Sequence, residues 1–266
     1  MVKRIPFRSL DISYRIFGKG NPIILLHGFA ENGHVWNNQV TVLEDKFRII
    51  IPDIPGSGES SYNESLTTID DFADAVKAVA VAEQIQILTL IGHSMGAYIA
   101  LSFAEKYSEY LNGLGLFHST AFPDHEEKKL TRRKSISFIR EFGAEEFIGL
   151  SAPNLFSEKY KEMHSDNVDV FVNSLNGFDP RALIAYSEAM IGRPERTLVL
   201  KQANFPVLFI AGEQDKTVPL QDSLKQCWLA DQSFVHILKH SAHMGMMEEI
   251  SESNSAILEF LNQIWT

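Results

Sequence analysis

At 266 residues the chain is long enough for one large domain, with or without an insertion, and for a core that needs no disulfide or metal staple. Its 45% hydrophobic and 22% charged residues fit a soluble globular protein, and a net charge of −10 argues against general binding to a phosphate backbone. The one cysteine, Cys227, rules out an internal disulfide and fits a reducing, cytoplasmic setting; no apolar run approaches the roughly 18 residues that span a bilayer, so no membrane partner is expected.

The opening stretch MVKRIPFRSLDISYRIFG alternates apolar and polar residues, with Ile12, Tyr14 and Ile16 on one face, and predicts a hairpin at a sheet edge. Asn21–Phe29 (NPIILLHGF) is a continuous apolar run ending near glycine, the pattern of a strand buried on both faces. Phe47–Ser60 is another, broken by Pro and Gly. Thr68–Gln84 reads as a helix: Thr68 can cap it, and Asp70 and Asp71 sit in the first turn, favourably against the helix dipole. IQILTLIGHS predicts a further buried strand, and MGAYIALSFAEKYSE a helix straight after it. Tyr110–Ser119, Phe205–Asp215 and Ser233–His243 predict more strands, and EISESNSAILEFLNQIWT a closing helix.

Strands alternating with helices predict an α/β fold: a mostly parallel sheet with helices on both faces. After Ser119 the strand pattern stops and a charged, helical pattern takes over until the alternation returns before FPVLFIAG. The expected organisation is a core domain of residues 1–119 and 197–266 with a helical insertion, residues 120–196, lying on the sheet.

Gly92-His93-Ser94-Met95-Gly96 matches G-x-S-x-G between a strand and a helix, which puts Ser94 on a tight turn above the carboxyl edge of the sheet. A serine hydroxyl is a weak nucleophile without a base. His243, in the loop between the last strand and the last helix, stands at the same edge. A base of this kind needs an orienting carboxylate. Asp215, just past the strand that starts near Phe205, supplies it, with Glu213 as the nearby competitor. Negative charge developing on a carbonyl oxygen needs two donors. The backbone N–H of Met95, at a helix N-terminus, is one; the N–H of Phe29, after Gly28, is the other.

These residues resemble those of the α/β-hydrolase fold superfamily, in its serine-nucleophile branch. LLHGF, DIPGSGES, GHSMGA, AGEQDKTVP and SAHMGMMEE carry the resemblance in order along nearly the whole chain, and ALIAYSEAMIGRPERTLVL resembles the segment leaving the cap in small esterases and enol-lactone hydrolases. The resemblance implies that the insertion is a helical cap. It implies a triad of Ser94, Asp215 and His243, with Phe29 and Met95 forming the oxyanion hole. Asp124 is a second candidate acid, since some family members place the acid after that strand. Ser94 departs from the aspartate nucleophile of the dehalogenases and epoxide hydrolases. The activity implied is hydrolysis of an ester or lactone of a small, largely apolar substrate, with no cofactor and no metal. Carbon–carbon cleavage of a vinylogous diketone, thioester hydrolysis and peracid formation use the same triad, and a non-catalytic small-ligand receptor is the reading from another class. No nucleic-acid partner is expected, and monomer and homodimer both stay open.

The other histidines have quieter readings. His93 is expected to pack and hydrogen-bond within the turn, and His27 to brace the oxyanion loop through backbone contacts. His34 and His118 are candidates for the pocket border, while His236 and His240 lie on or near a strand. Asp53 reads as a turn-bonding carboxylate, and Gly56 and Gly58 as backbone-permissive sites; the loop lacks the Lys-Ser/Thr ending of a phosphate cradle. KKLTRRK, with Asp124, Glu126 and Glu127 beside it, reads as a solvated helix face with local ion pairs. Phe138, Phe142, Phe147 and Phe171 are expected in the core of the insertion, over an apolar pocket.

Overall fold

The computed structural model describes residues 1–265. Eight strands, β1 (Val2–Phe7), β2 (Leu10–Phe17), β3 (Asn21–Leu26), β4 (Phe47–Pro52), β5 (Leu88–His93), β6 (Leu111–Phe117), β7 (Val207–Gly212) and β8 (Ser233–Leu238), form one sheet in the order β1-β2-β4-β3-β5-β6-β7-β8. The expected α/β fold is present. Pairing is antiparallel from β1 to β2 and from β2 to β4, and parallel from there to β8.

Burial follows the sequence pattern. β5 and β7 are buried at every position, as strands covered on both faces must be, while the edge strands β1 and β8 alternate. The β1–β2 hairpin turns on Arg8 and Ser9, both at positive φ, the conformation that matches the twist of the strands it joins.

Helices α1 (Asn37–Leu43), α2 (Ile69–Ala82) and α3 (Met95–Lys106) follow β3, β4 and β5. Thr68 and Asp71 close a reciprocal capping box at the start of α2. The core is one contiguous apolar cluster in which Trp36, Phe72, Phe103, Phe209 and Phe260 are fully buried. Between β6 and β7 lie only helices among the described residues: α4 (Glu126–Phe142), α5 (Ala144–Ser151), α6 (Glu158–Met163), α7 (Ser165–Asn173), α8 (Pro180–Gly192) and α9 (Thr197–Lys201). α10 (Leu220–Leu224), α11 (Gly245–Glu248) and α12 (Ile250–Ile264) complete the chain. No helix is long and apolar enough to cross a membrane among the described residues.

The sheet order reverses between β3 and β5: β4 lies on one side of β3, and the chain returns on the other. Open α/β sheets bind ligands at the carboxyl ends of their strands beside such a reversal. Leu26, last in β3, pairs with Gly92 of β5, so the loops carrying Phe29 and Ser94 leave the sheet side by side.

Candidate active site

Ser94 joins β5 to α3 at φ +51° and ψ −115°, a backbone conformation that costs about 1–3 kcal/mol and is seldom kept without a purpose. Its neighbours leave no room for side chains. A Cβ on Gly92 would fall 2.3 Å from the Gly96 backbone, and one on Gly96 would fall 2.5 Å from the carbonyl oxygen of His27. The turn is held on both sides: Ser94 N–H donates to Phe117 O at 2.9 Å, and Ser119 Oγ donates to Ser94 O at 2.9 Å. Ser94 is half-buried, and its hydroxyl has no hydrogen-bond partner among the described residues.

Asp215 is buried and fully engaged. Oδ1 accepts from the N–H groups of Thr217 and Val218 at 2.8 and 2.9 Å, while Oδ2 lies 2.7 Å from His243 Nδ1 and 3.1 Å from His118 Nδ1. Burial alone would push the carboxyl up; the charge of His243 and the hydrogen bonds from both imidazoles outweigh it and hold Asp215 far below the usual carboxylate range. It is therefore an anion against Nδ1 of His243, which leaves Nε2 as the basic nitrogen. Glu213 is exposed, and Asp124 pairs with Arg132 and Arg193. Among the candidate acids, only Asp215 reaches His243.

His93 lies directly beneath. Its Nε2 donates to the backbone carbonyl of His243 at 2.9 Å, and its Nδ1 donates to Glu31 at 3.1 Å. Burial pushes His93 down, but the Glu31 charge and hydrogen bond prevail and raise it; His93 in turn holds Glu31 down against burial. The two form a buried imidazolium–carboxylate pair. Glu31 also accepts the Gly28 N–H at 2.7 Å, so one carboxylate fixes both the loop carrying Phe29 and, through His93, the loop carrying His243. Glu31 stands out in the sequence only as an acidic residue three positions after Gly28. His27 braces the same loop as expected: Nδ1 donates to Gly28 O at 2.9 Å, and Nε2 accepts the Ile54 N–H at 3.0 Å.

The N–H groups of Phe29 and Met95 have no acceptor among the described residues. They follow the adjacent ends of β3 and β5, and Met95 opens α3, where unpaired N–H groups and the helix dipole favour an anion.

His34 is exposed, and His118 is fully buried behind Asp215, so neither borders the main cleft. That cleft, about 800 Å³, runs from Phe29 and Phe147 to Asp124, Lys128, Arg132 and Arg193. Its lining is mainly apolar, as expected, but Phe147 faces it instead of lying in the core of the insertion, Phe142 is exposed, and one helical face of α4 adds polar groups. KKLTRRK is thus only partly a solvated face. Lys129 pairs outward with Glu126 at 2.9 Å, but Arg132 turns to the buried Asp124 at 2.6 Å.

His118, Asp215 and His243 place donor atoms within 4.8 Å of one another, a grouping that residue spacing did not reveal. Their 2.7 and 3.1 Å nitrogen–oxygen distances are those of hydrogen bonds.

A mostly parallel sheet whose order reverses beneath a strained serine turn defines an α/β protein with its site at the carboxyl edge of the strands. More particularly, the chain belongs to the alpha/beta hydrolase fold family, whose sequence model matches residues 21–250. An esterase from Thermogutta terrifontis, solved with malate bound, is similar at a TM-score of 0.94 and 27% identity over the whole of both chains. The enol-lactonase from Burkholderia xenovorans LB400 is similar at a TM-score of 0.89 over 98% of this chain and 100% of its own; its 18% identity speaks for the fold alone. In sequence, the 2-hydroxy-6-oxo-6-(2'-aminophenyl)hexa-2,4-dienoic acid hydrolase of Metapseudomonas resinovorans is 26% identical over 96% of this chain and 89% of its own.

Proposed function

We propose that the chain is a serine hydrolase that cleaves a carboxylic ester or lactone of a small molecule. The observation that carries this is the 2.7 Å contact between Asp215 Oδ2 and His243 Nδ1 at the edge where Ser94 stands on its strained turn. Ser94 Oγ attacks the carbonyl carbon while His243 Nε2 takes its proton. The N–H groups of Phe29 and Met95 receive the charge that develops on the carbonyl oxygen. His243 then returns the proton to the departing alcohol, and a water deprotonated by His243 releases the acid. Asp215 keeps the productive tautomer and stabilises the imidazolium. The missing bond to Ser94 Oγ does not oppose this role, since such contacts often tighten only around substrate. The helices of residues 120–196 act as a cap that roofs the site, with core residues 1–119 and 197–266 beneath. The setting is cytoplasmic, in keeping with the one unpaired cysteine, Cys227.

The test is hydrolysis of p-nitrophenyl esters of graded acyl length by wild type and Ser94→Ala. Wild type is expected to turn over, and Ser94→Ala to lose about 10⁴-fold or more in kcat while unfolding at the same temperature. A variant that keeps most of the activity refutes the mechanism. Similarity to the Metapseudomonas hydrolase over nearly all of both chains favours carbon–carbon cleavage of a vinylogous diketone as a second reading. Turnover of such a dienoate but of no ester or thioester selects it. A single stoichiometric adduct without turnover selects a receptor.

A further inference from the structure

The face that α4 turns toward the cleft is the unusual one. Lys128, Thr131, Arg132 and Ser135 line the cleft at i, i+3, i+4 and i+7, one helical stripe, where a helix covering a fold normally presents apolar residues. Leu130 of the same helix is meanwhile left half-exposed.

Charge is uneven as well. Asp124, with no exposure of its side chain, has Arg132 at 2.6 Å, Arg193 at 3.0 Å and Lys128 at 3.9 Å. One carboxylate faces three cations. Burial would raise Asp124, but Arg132 and Arg193 outweigh it, so it stays ionised. Arg193 is engaged at both terminal nitrogens: it donates to the carbonyls of Met190 and Phe122 and stacks on Tyr98, 3.8 Å from the ring centre. Arg132 is not. Only its Nε is engaged, and no hydrogen bond among the described residues uses its two terminal nitrogens, although its side chain is only 17% exposed. In a chain of net charge −10, a half-buried guanidinium with a free pair of donors needs an explanation. A free fork of this kind matches a carboxylate.

We infer that the cleft selects substrates bearing a carboxylate remote from the reacting carbonyl, with Arg132 as its binding residue and Lys128 adding charge. The inference rests on the hydrolase reading and narrows its substrate class, replacing the largely apolar substrate expected from the sequence. The neutral end of such a substrate lies against Phe29 and Phe147, and the charged end beneath α4.

The test compares p-nitrophenyl hydrogen adipate and suberate with the neutral hexanoate and octanoate, each pair matched in chain length. Wild type is expected to favour the charged ester at least 10-fold in kcat/KM, and free adipate to inhibit hexanoate hydrolysis competitively. Arg132→Gln is expected to cut the charged-to-neutral ratio about 10-fold or more, mainly through KM, and to weaken inhibition by adipate. Arg132→Lys, which keeps the charge but loses the fork, should fall between. If Arg132→Gln does not fold, wild type alone still decides through the ester ratio and the inhibition. Neutral esters hydrolysed as well as charged ones, with no inhibition by adipate, overturn the inference and leave the hydrolase reading intact. If wild type hydrolyses neither ester, the hydrolase reading fails for these substrates, and calorimetry with adipate alone decides the anion site.

Discussion

At Asp215 two imidazoles compete for one oxygen, His243 at 2.7 Å and His118 at 3.1 Å. Burial drives His118 down to about 4 in spite of the Asp215 bond, so at neutral pH it is an uncharged dipole and not a second cation. The unfolded residue takes its proton near 6.5, so between about 4 and 6.5 the unfolded chain binds more protons and stability rises with pH, by up to about 3 kcal/mol for this group. His93 runs the other way: Glu31 raises it, so its contribution is full below the unfolded value and is lost as pH rises through the folded one. His118→Leu is expected to flatten the acid side of the unfolding free energy measured in urea from pH 4 to 7. His118→Gln, which offers Asp215 a neutral donor that does not titrate, should flatten it as well. A His118→Leu profile that superimposes on wild type rules out His118 as the source of the acid-side slope. Glu31 was not legible as a site residue, and His118 was read as a border of the pocket, not as a partner of Asp215. Ser94, Asp215 and His243 each sit in a recognisable loop, but His118 and Glu31 act through contacts 97 and 62 residues away, which local pattern does not encode.

Elements were easier to read because their signals are local. The capping box at Thr68, the unbroken apolar runs of β3 to β7 and the alternation of β1 each reflect one periodicity or one turn. The serine turn shows where local reading stops: G-x-S-x-G states that glycines are needed, but the reason lies in another strand. The Cβ of an alanine at position 96 would strike the carbonyl oxygens of His27 and Leu26, at 2.5 and 2.6 Å, and backbone cannot swing aside as a long side chain can. Gly96→Ala is expected to destabilise by about 2 kcal/mol or more, as overpacking against a fixed neighbour does. Gly149, inside α5, has nothing within 4 Å of a built Cβ. Gly149→Ala is expected to stabilise by up to about 1 kcal/mol through helix propensity. Urea unfolding of both variants checks the contrast; equal effects refute the steric account. The inward polar stripe of α4 misled for the opposite reason. Charge runs are usually solvated, and only the packing of α4 over Asp124 turned Lys128 and Arg132 inward.

On the scale of the whole molecule, the sequence marked out a helical segment between β6 and β7 but not how its ends are held. The two ends meet: Arg196 N–H donates to Ala121 O at 2.8 Å. Gln226, fully buried, receives the Ala121 N–H at 2.7 Å and donates to Ser119 O at 2.8 Å. The Arg196 side chain, 3% exposed, binds Asp70 of α2 and reaches Glu105 of α3 at 3.0 Å. One guanidinium thus fastens the return of the insertion to two helices of the sheet layer. Both carboxylates are about half-exposed, so losing the arginine returns them to water and strands no buried charge. The cost of Arg196→Met should therefore lie near 1–2 kcal/mol, below the 3–5 of a fully buried pair. For a chain of this size that is a fall of about 2–6 °C in Tm. If the clamp also sets the roof of the cleft, limited proteolysis should cut first within residues 120–196, and KM should rise more than kcat falls. An unchanged Tm with an unchanged cleavage pattern means that the insertion is held by its apolar contacts with the sheet layer, and that the Arg196 ion pairs contribute nothing to its position.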